Sequence, residues 1–409
     1  MVWGILLFLW FCCWFTGSSA LIPKLSTIPI VELASGDRLS LQVYRFVGIS
    51  PGPKAYLQAN LHGAEISGNA VIGELIEFLQ TLNPQQLRGE ICLVPTCNPM
   101  GINQRSHHFS SGRYNPYDGR DWNRIFWDYT KNHHLRDFAK AHLQATPAVV
   151  QTNFRNQILR SFQKIANKLD SPRSVPFYEC YRYHLQSLCL DANYVIDLHS
   201  STNEALNHLY CCQTREESAQ AFLFDYGILL DEYDGDAFDE AFIRPWLVLE
   251  QLFAQLGRNL RFDVEAWTLE IGGGMTMDSE AVAAGVRGIK NYLATKGVLD
   301  LPDFPMAPAA LGNRSPQAEA SDAAQKRPIR LVPKTDIQTY YAPRGGMVQK
   351  LCEVGTNIQK GDLLYEMLCF PRENQFPQVH EVRADADGMV FDRANNHSAN
   401  QGDYIVSLL

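Results

Sequence analysis

No stretch of this 409-residue chain is apolar for the ~20 residues that a helix needs to cross a bilayer. The longest apolar run, Val2 to Phe15, stops short of that length, which excludes a polytopic membrane protein. Blocks of Lys and Arg are missing as well. Thirty-six basic against 44 acidic residues leave a formal charge of −8, so a basic face for nucleic acid is not expected. The ten cysteines contain no Cys-x-x-Cys pair, so neither a zinc ribbon nor a thioredoxin-type redox site is indicated. Cys92, Cys97, Cys211 and Cys212 sit in apolar, strand-like text and read as buried reduced thiols. What remains is an ordinary globular composition, 46% apolar and 20% charged, long enough for two or three domains.

The run Val2 to Phe15 is followed by Thr16-Gly17-Ser18-Ser19-Ala20, small residues that suit a cleavage site, but no Lys or Arg precedes it. Residues 1–20 therefore read either as a signal or anchor or as the product of a start codon placed too early. The cytoplasm is the favoured location, with export or membrane anchoring as the alternative.

Between Lys54 and Asp300, within a domain placed at residues 21–302, short β-rich runs alternate with helical stretches. Ala55 to Leu61, Ile91 to Thr96 and Tyr194 to Leu198 read as buried strands, and Ile66, Ala70, Ile72, Leu75, Ile76 and Leu79 recur at helical spacing. Pro245 suits a first helical position with Gly257 beyond the end, and Asp278 suits the cap of a helix that stops at Gly297. This pattern predicts an α/β domain. Residues 303–328 are poor in periodicity and read as a linker. Residues 329–409, where glycines break Val, Leu and Ile runs, read as a small all-β domain.

The chemistry begins at His62-Gly63-Ala64-Glu65. A strand ending at His62 and a helix holding Glu65 in its first turn bring imidazole and carboxylate to the sheet's carboxyl edge. Both are competent zinc ligands, and a catalytic zinc wants three protein ligands and an open position. His199, at the end of another strand, is the obvious third donor, with Asp197 placed to hold a ligand's tautomer. A further strand, Trp267 to Ile271, runs into Gly272-Gly273-Gly274 and delivers Glu270 as general base. Between these lie Arg105, Arg113, Arg120 and Arg124 with Asn123, interleaved with Asp118 and Asp121. Alone they would read as a salt-bridged surface; beside a metal they suit capture of a substrate carboxylate and stabilisation of an oxyanion.

His62-Gly63-Ala64-Glu65, Asn98-Pro99-x-Gly101 followed by Arg105, Asp121-Trp122-Asn123-Arg124-x-Phe126, Asp197-Leu198-His199 and Leu269-Glu270-x-Gly272-Gly273 together resemble the succinylglutamate desuccinylase/aspartoacylase family of the zinc carboxypeptidase-like superfamily. The resemblance spans about residues 25–300. It implies a zinc-carboxypeptidase-like mixed sheet flanked by helices, with one Zn2+ on His62, Glu65 and His199 and Glu270 as base. It also implies Arg113 as the carbonyl-polarising residue and Asn123 with Arg124 as holders of the substrate carboxylate. The spacing from Arg113 to Asn123 is longer than in the aspartoacylases, so Arg105 and Arg120 stay open for that role. The tail from Leu331 resembles the family's C-terminal β-domain and, more loosely, a biotinyl/lipoyl barrel-sandwich. It lacks the Met-Lys-Met hairpin of a carrier, so it is expected to cover the mouth of the site. Residues 127–192 match no motif and are expected to be helices lining or lidding the pocket.

The reaction expected is hydrolysis of the amide bond of a small-molecule N-acyl amino acid or similar carboxylate. A metallocarboxypeptidase acting on peptides or cell-wall peptides is the second reading, and a non-catalytic zinc or ligand-binding protein the third. A homo-oligomer is compatible with the sequence without being indicated by it. The pairs His107-His108 and His133-His134 read as polar loop or surface residues rather than a second metal site.

Overall fold

The computed structural model describes residues 20–169, 171–233, 235–306, 328–372 and 375–409. Nine strands form its largest sheet: β1 (Lys24–Glu32), β2 (Arg38–Val47), β3 (Ser50–Ala59), β4 (Arg88–Val94), β5 (Tyr194–Ser201), β6 (His208–Cys212), β7 (Tyr226–Leu230), β8 (Glu265–Gly273) and β9 (Arg330–Pro333). Their spatial order is β1-β2-β4-β3-β5-β8-β6-β7-β9. Strands β4, β3, β5 and β8 run parallel through the centre, β1 and β2 add antiparallel on one side, and β6 meets β8 antiparallel on the other. Because β3, β5 and β8 are adjacent and parallel, their carboxyl ends lie side by side, which is where an α/β sheet places its ligands.

Five longer helices cover the sheet: α1 (Ser67–Thr81), α2 (Pro147–Leu169), α3 (Phe177–Ser187), α4 (Phe238–Gln255) and α5 (Ser279–Thr295). Helices α1 and α5 bury Val71, Ile72, Leu75, Val282 and Ile289 on one face, and α2, α3 and α4 pack on the opposite face. The expected mixed sheet flanked by helices is therefore present.

Three details differ from the sequence reading. Glu65 precedes α1 rather than lying in it, because the chain turns between His62 and Glu65. Pro245 sits inside α4, not at its start. The helix starts earlier because Asn123 Oδ1 accepts from the Phe238 amide at 2.8 Å, and Asp239 and Glu240 occupy its dipole-favoured first turn. The helices within 127–192 do not line the cleft: Val150, Phe154, Ile158 and Phe162, four residues apart, turn one buried stripe of α2 to the core instead. Gly257 beyond α4 and the Asp278 cap of α5 lie as their sequence positions suggest.

The C-terminal region is all β. One sheet holds Gln338–Tyr341, Tyr404–Leu408, Gly388–Arg393 and Asn357–Ile358; a second holds Gln378–Arg383, Leu363–Cys369, Gly346–Gln349 and Ser398–Ala399. Val348, Leu364, Met367, Val390 and Ile405 fill the space within it. Strand pairing ties it both to the large sheet and to the segment that follows β5. Strand β9, which lies past the linker, pairs with β7, and Glu204–Ala205 pairs with Arg393 and Asp392. The large sheet thus extends beyond the boundary expected at residue 328.

Among the described residues no helix is long and apolar enough to cross a membrane, and every cysteine is a free thiol. The apolar run Val2 to Phe15 and most of the linker lie outside the described residues.

Candidate active site

Strand β3 ends at Ala59, and Asn60 turns the chain in the left-handed conformation, φ 68°. Its side-chain amide donates to the carbonyls of His62 (3.1 Å), Gly63 (3.3 Å) and Glu65 (3.1 Å), and so holds the turn that presents imidazole and carboxylate together. Gly63 is required by a close approach: a Cβ there would lie 2.1 Å from the Gly101 carbonyl oxygen. Gly63→Ala is accordingly expected to destabilise the fold by about 1–3 kcal/mol, measured by thermal or urea unfolding.

His62, Glu65 and His199 are all buried, and one ligand atom from each falls within 4.8 Å of the others. Glu65 bridges the two imidazoles, Oε1 to His62 Nδ1 at 2.9 Å and Oε2 to His199 Nδ1 at 2.7 Å. Each imidazole has a carboxylate behind it. Asp121 Oδ1 lies 3.0 Å from His62 Nε2, and Asp197 Oδ2 lies 3.0 Å from His199 Nε2. With Nε2–H donated to those carboxylates, both rings turn Nδ1 inward, the arrangement that fixes tautomer and orientation in metal sites. Asp197 is itself held by Gln58 Nε2 at 2.9 Å, and Gln58 by the Tyr56 hydroxyl.

Burial opposes charge on both imidazoles, yet the surrounding carboxylates hold His62 above the ordinary histidine value and His199 well above it. Burial would push the Glu65 carboxyl up, but the two imidazoles hold it well below the usual range. Three donors, two nitrogens and a carboxylate, thus converge on one buried point where a cation would replace the protons they share. The chemistry of that set suits a metal ion.

Glu270 projects from β8, whose register places it opposite His199 on β5 and His208 on β6. Its Oε2 is buried with no hydrogen-bond partner. Burial raises its carboxyl to about 7, with His199 and His62 pulling down and Glu65 and Asp392 pushing up. That value suits proton exchange near neutrality.

These residues open into a cleft of about 400 Å³. The arginine cluster divides at this point. Arg113, Asn123 and Arg124 line the cleft. Arg113 reaches Asp121 at 3.2 Å and Glu65 at 3.6 Å, and Asn123 is buried. Arg105 and Arg120 do not line it. Arg105 folds back on the carbonyls of Ile102 and Gln104, while Arg120 pairs with Asp118 and lies over the Tyr178 ring at 3.9 Å. Neighbouring carbonyls hold Arg105, and Asp118 with the Tyr178 ring holds Arg120, so proximity in sequence to Arg113 does not bring them to the site. His107 and His108 likewise stay on the exposed hairpin around Phe109.

Asp121, quoted above only as part of a motif, turns out to back His62 and to pair with Arg113. Several residues that line the cleft carried no sequence signal. Asp239, His208 and Tyr210 come from core elements; Lys334, Phe391, Asp392, Tyr404 and Ser407 come from beyond the linker. Burial raises the Asp239 carboxyl, helped by nearby Asp197, and lowers His208, whose Nδ1 lies 2.9 Å from the Leu206 carbonyl.

The sequence profile of the succinylglutamate desuccinylase/aspartoacylase catalytic domain matches residues 51–295. The chain belongs to this family. Similar solved structures of the family include a protein from Shewanella amazonensis SB2B, 30% identical over 94% of this chain and 98% of its own, with a TM-score of 0.79. Another, from Shewanella frigidimarina, is 26% identical over 95% and 97%, also at 0.79. A third, from Rhodobacter sphaeroides, is 18% identical over 95% of each chain at 0.63 and shares the fold. No curated protein matches the sequence. The family is one of desuccinylase- and aspartoacylase-type hydrolases, and its matched region contains His62, Glu65, His199 and Glu270.

Proposed function

We propose that the protein is a zinc-dependent hydrolase that cleaves the amide bond of an N-acyl amino acid or a similar small carboxylate. The observation that carries this reading is the convergence of His62, Glu65 and His199 on one buried point with the unpartnered Oε2 of Glu270 facing the same cleft. Zinc suits two nitrogens and one carboxylate oxygen, and when bound it supplies Lewis acidity that polarises a carbonyl and acidifies a water.

The remaining work falls to the chain's own residues. Glu270, raised by burial, takes the proton from the attacking water and returns it to the departing amine. Arg113, steadied by Asp121, stabilises the oxyanion, and Arg124 with Asn123 holds the substrate carboxylate. Phe391, Asp392, Tyr404 and Ser407 also line the cleft, whose volume of about 400 Å³ suits a small amide better than a peptide chain.

A panel of acetyl-, succinyl- and aromatic-acyl amino acids, offered to the zinc-loaded protein with peptides as control, tests the reading. Release of amino acid from one acyl class is the expected result, and hydrolysis of peptides alone would overturn it. Arg124→Lys is expected to raise KM by about tenfold or more with a smaller effect on kcat, because a lysine loses the bidentate fork. Steady-state kinetics on the best substrate of the panel checks it.

A further inference from the structure

The C-terminal region does more than border the cleft. Asp392, on the strand Gly388–Arg393, is buried, and its carboxylate gathers three donors. Oδ2 accepts from the Ser201 hydroxyl at 2.5 Å, and Oδ1 accepts from Asn203 Nδ2 at 2.9 Å and from the Tyr404 hydroxyl. Ser201 and Asn203 form the turn that leaves β5 immediately after His199. The same turn is gripped by Asn395, which donates to the Thr202 carbonyl at 3.2 Å, and Leu206 donates its amide to the Phe391 carbonyl at 2.9 Å.

That turn is the floor on which the end of β8 rests. The Gly274 amide donates to the Ser201 carbonyl, and the Met275 amide donates to the Ala64 carbonyl at 2.7 Å. No side chain fits between: a Cβ on Gly273 would lie 2.7 Å from the Asn203 carbonyl oxygen, and one on Gly274 2.9 Å from that of Ser201. One chain of contacts therefore runs from Asp392 through the 201–203 turn to the Gly273-Gly274 turn and on to Ala64. It touches every segment that carries His62, Glu65, His199 and Glu270.

We propose that Asp392 is a positioning residue. It fixes the 201–203 turn, and through it the spacing between the strand ends that carry His199 and Glu270. The C-terminal region is then a clamp on the site rather than a cover over it. Charge-assisted bonds to one carboxylate are the strong kind, and removing the charge leaves Ser201, Asn203 and Tyr404 competing for a weaker acceptor. The part of this inference that concerns metal rests on the zinc reading above.

Hydrogen exchange on the full-length protein, metal-free and zinc-loaded, separates the two. Asp392→Asn is expected to speed exchange about tenfold or more in peptides covering 200–207 and 271–276, the Gly274 and Met275 amides included. Glu204→Gln removes an exposed carboxylate that pairs with Arg393 beside the same strand contact, and is expected to leave those peptides unchanged. Zn2+ affinity of Asp392→Asn should weaken about 10–100-fold, with a shifted visible spectrum when Co2+ is loaded instead. Unchanged exchange at 271–276 in Asp392→Asn, or equal acceleration in Glu204→Gln, overturns the positioning role. If the wild type takes up no Zn2+, the zinc reading fails, while the exchange result still decides the role of Asp392. Should Asp392→Asn not fold, Tyr404→Phe removes one donor. It is expected to accelerate the same peptides less, and no acceleration there overturns the proposal.

Discussion

Glu270→Gln is expected to leave the metal in place and to lower kcat/KM by about 10² to 10⁴, the usual worth of general acid–base transfer. The amide keeps the shape and contacts of the side chain but cannot accept the proton. Metal content by elemental analysis beside steady-state kinetics checks it, and normal turnover with metal bound would remove Glu270 from the mechanism. The pH profile gives a second readout. The base works unprotonated, so kcat/KM must fall as pH drops through the Glu270 value. Burial sets that value at about 7 in the protein without an ion. A bound cation favours the carboxylate, so the acid limb of the loaded enzyme should lie below 7, and residual activity of the Gln variant should lack it.

Removing the metal is the second large effect. A chelator, or His199→Ala, is expected to abolish turnover, with activity restored by Zn2+ in the first case and not in the second. Burial resists charging the two imidazoles, but Glu65, Asp121 and Asp197 keep both His62 and His199 above the ordinary histidine value. An ion that binds there must displace whatever protons the two imidazoles carry. Apparent affinity should drop by about tenfold per pH unit for each proton displaced, and loading should release protons that a lightly buffered titration can count. An ion present at 1,000 times its Kd adds about 4 kcal/mol to stability, so the thermal midpoint should rise with metal concentration.

The four central side chains were legible because His199 and Glu270 lie on the carboxyl halves of apolar strands, and His62 with Glu65 in the turn just past another, and parallel strands in an α/β sheet bring such ends together. Asn60 was not, because its part is played through a left-handed turn and three carbonyl contacts that no spacing announces. The arginines show the limit of proximity in sequence. Arg113 and Arg124 reach the cleft, whereas Arg105 and Arg120 find partners on their own turns. Asp392 and Tyr404 lie about two hundred residues from His199, and only the docking of two sheets brings them near it. Composition marked the C-terminal region as a separate β module, but composition carries no information about what such a module rests on. Pro245 misled for a related reason: a helix start was set by Asn123, more than a hundred residues upstream.

Strand β9 has a bearing on how the protein can be handled. It covers the outer side of β7, whose amides and carbonyls would otherwise face solvent in a row. A fragment cut at the linker would keep almost all of the catalytic sheet yet display a bare parallel margin, a template for another chain to add to. Such a fragment should be sticky and prone to precipitate, whereas one carried through Pro333 would keep the short, proline-ended edge strand with which the sheet ends in the whole protein.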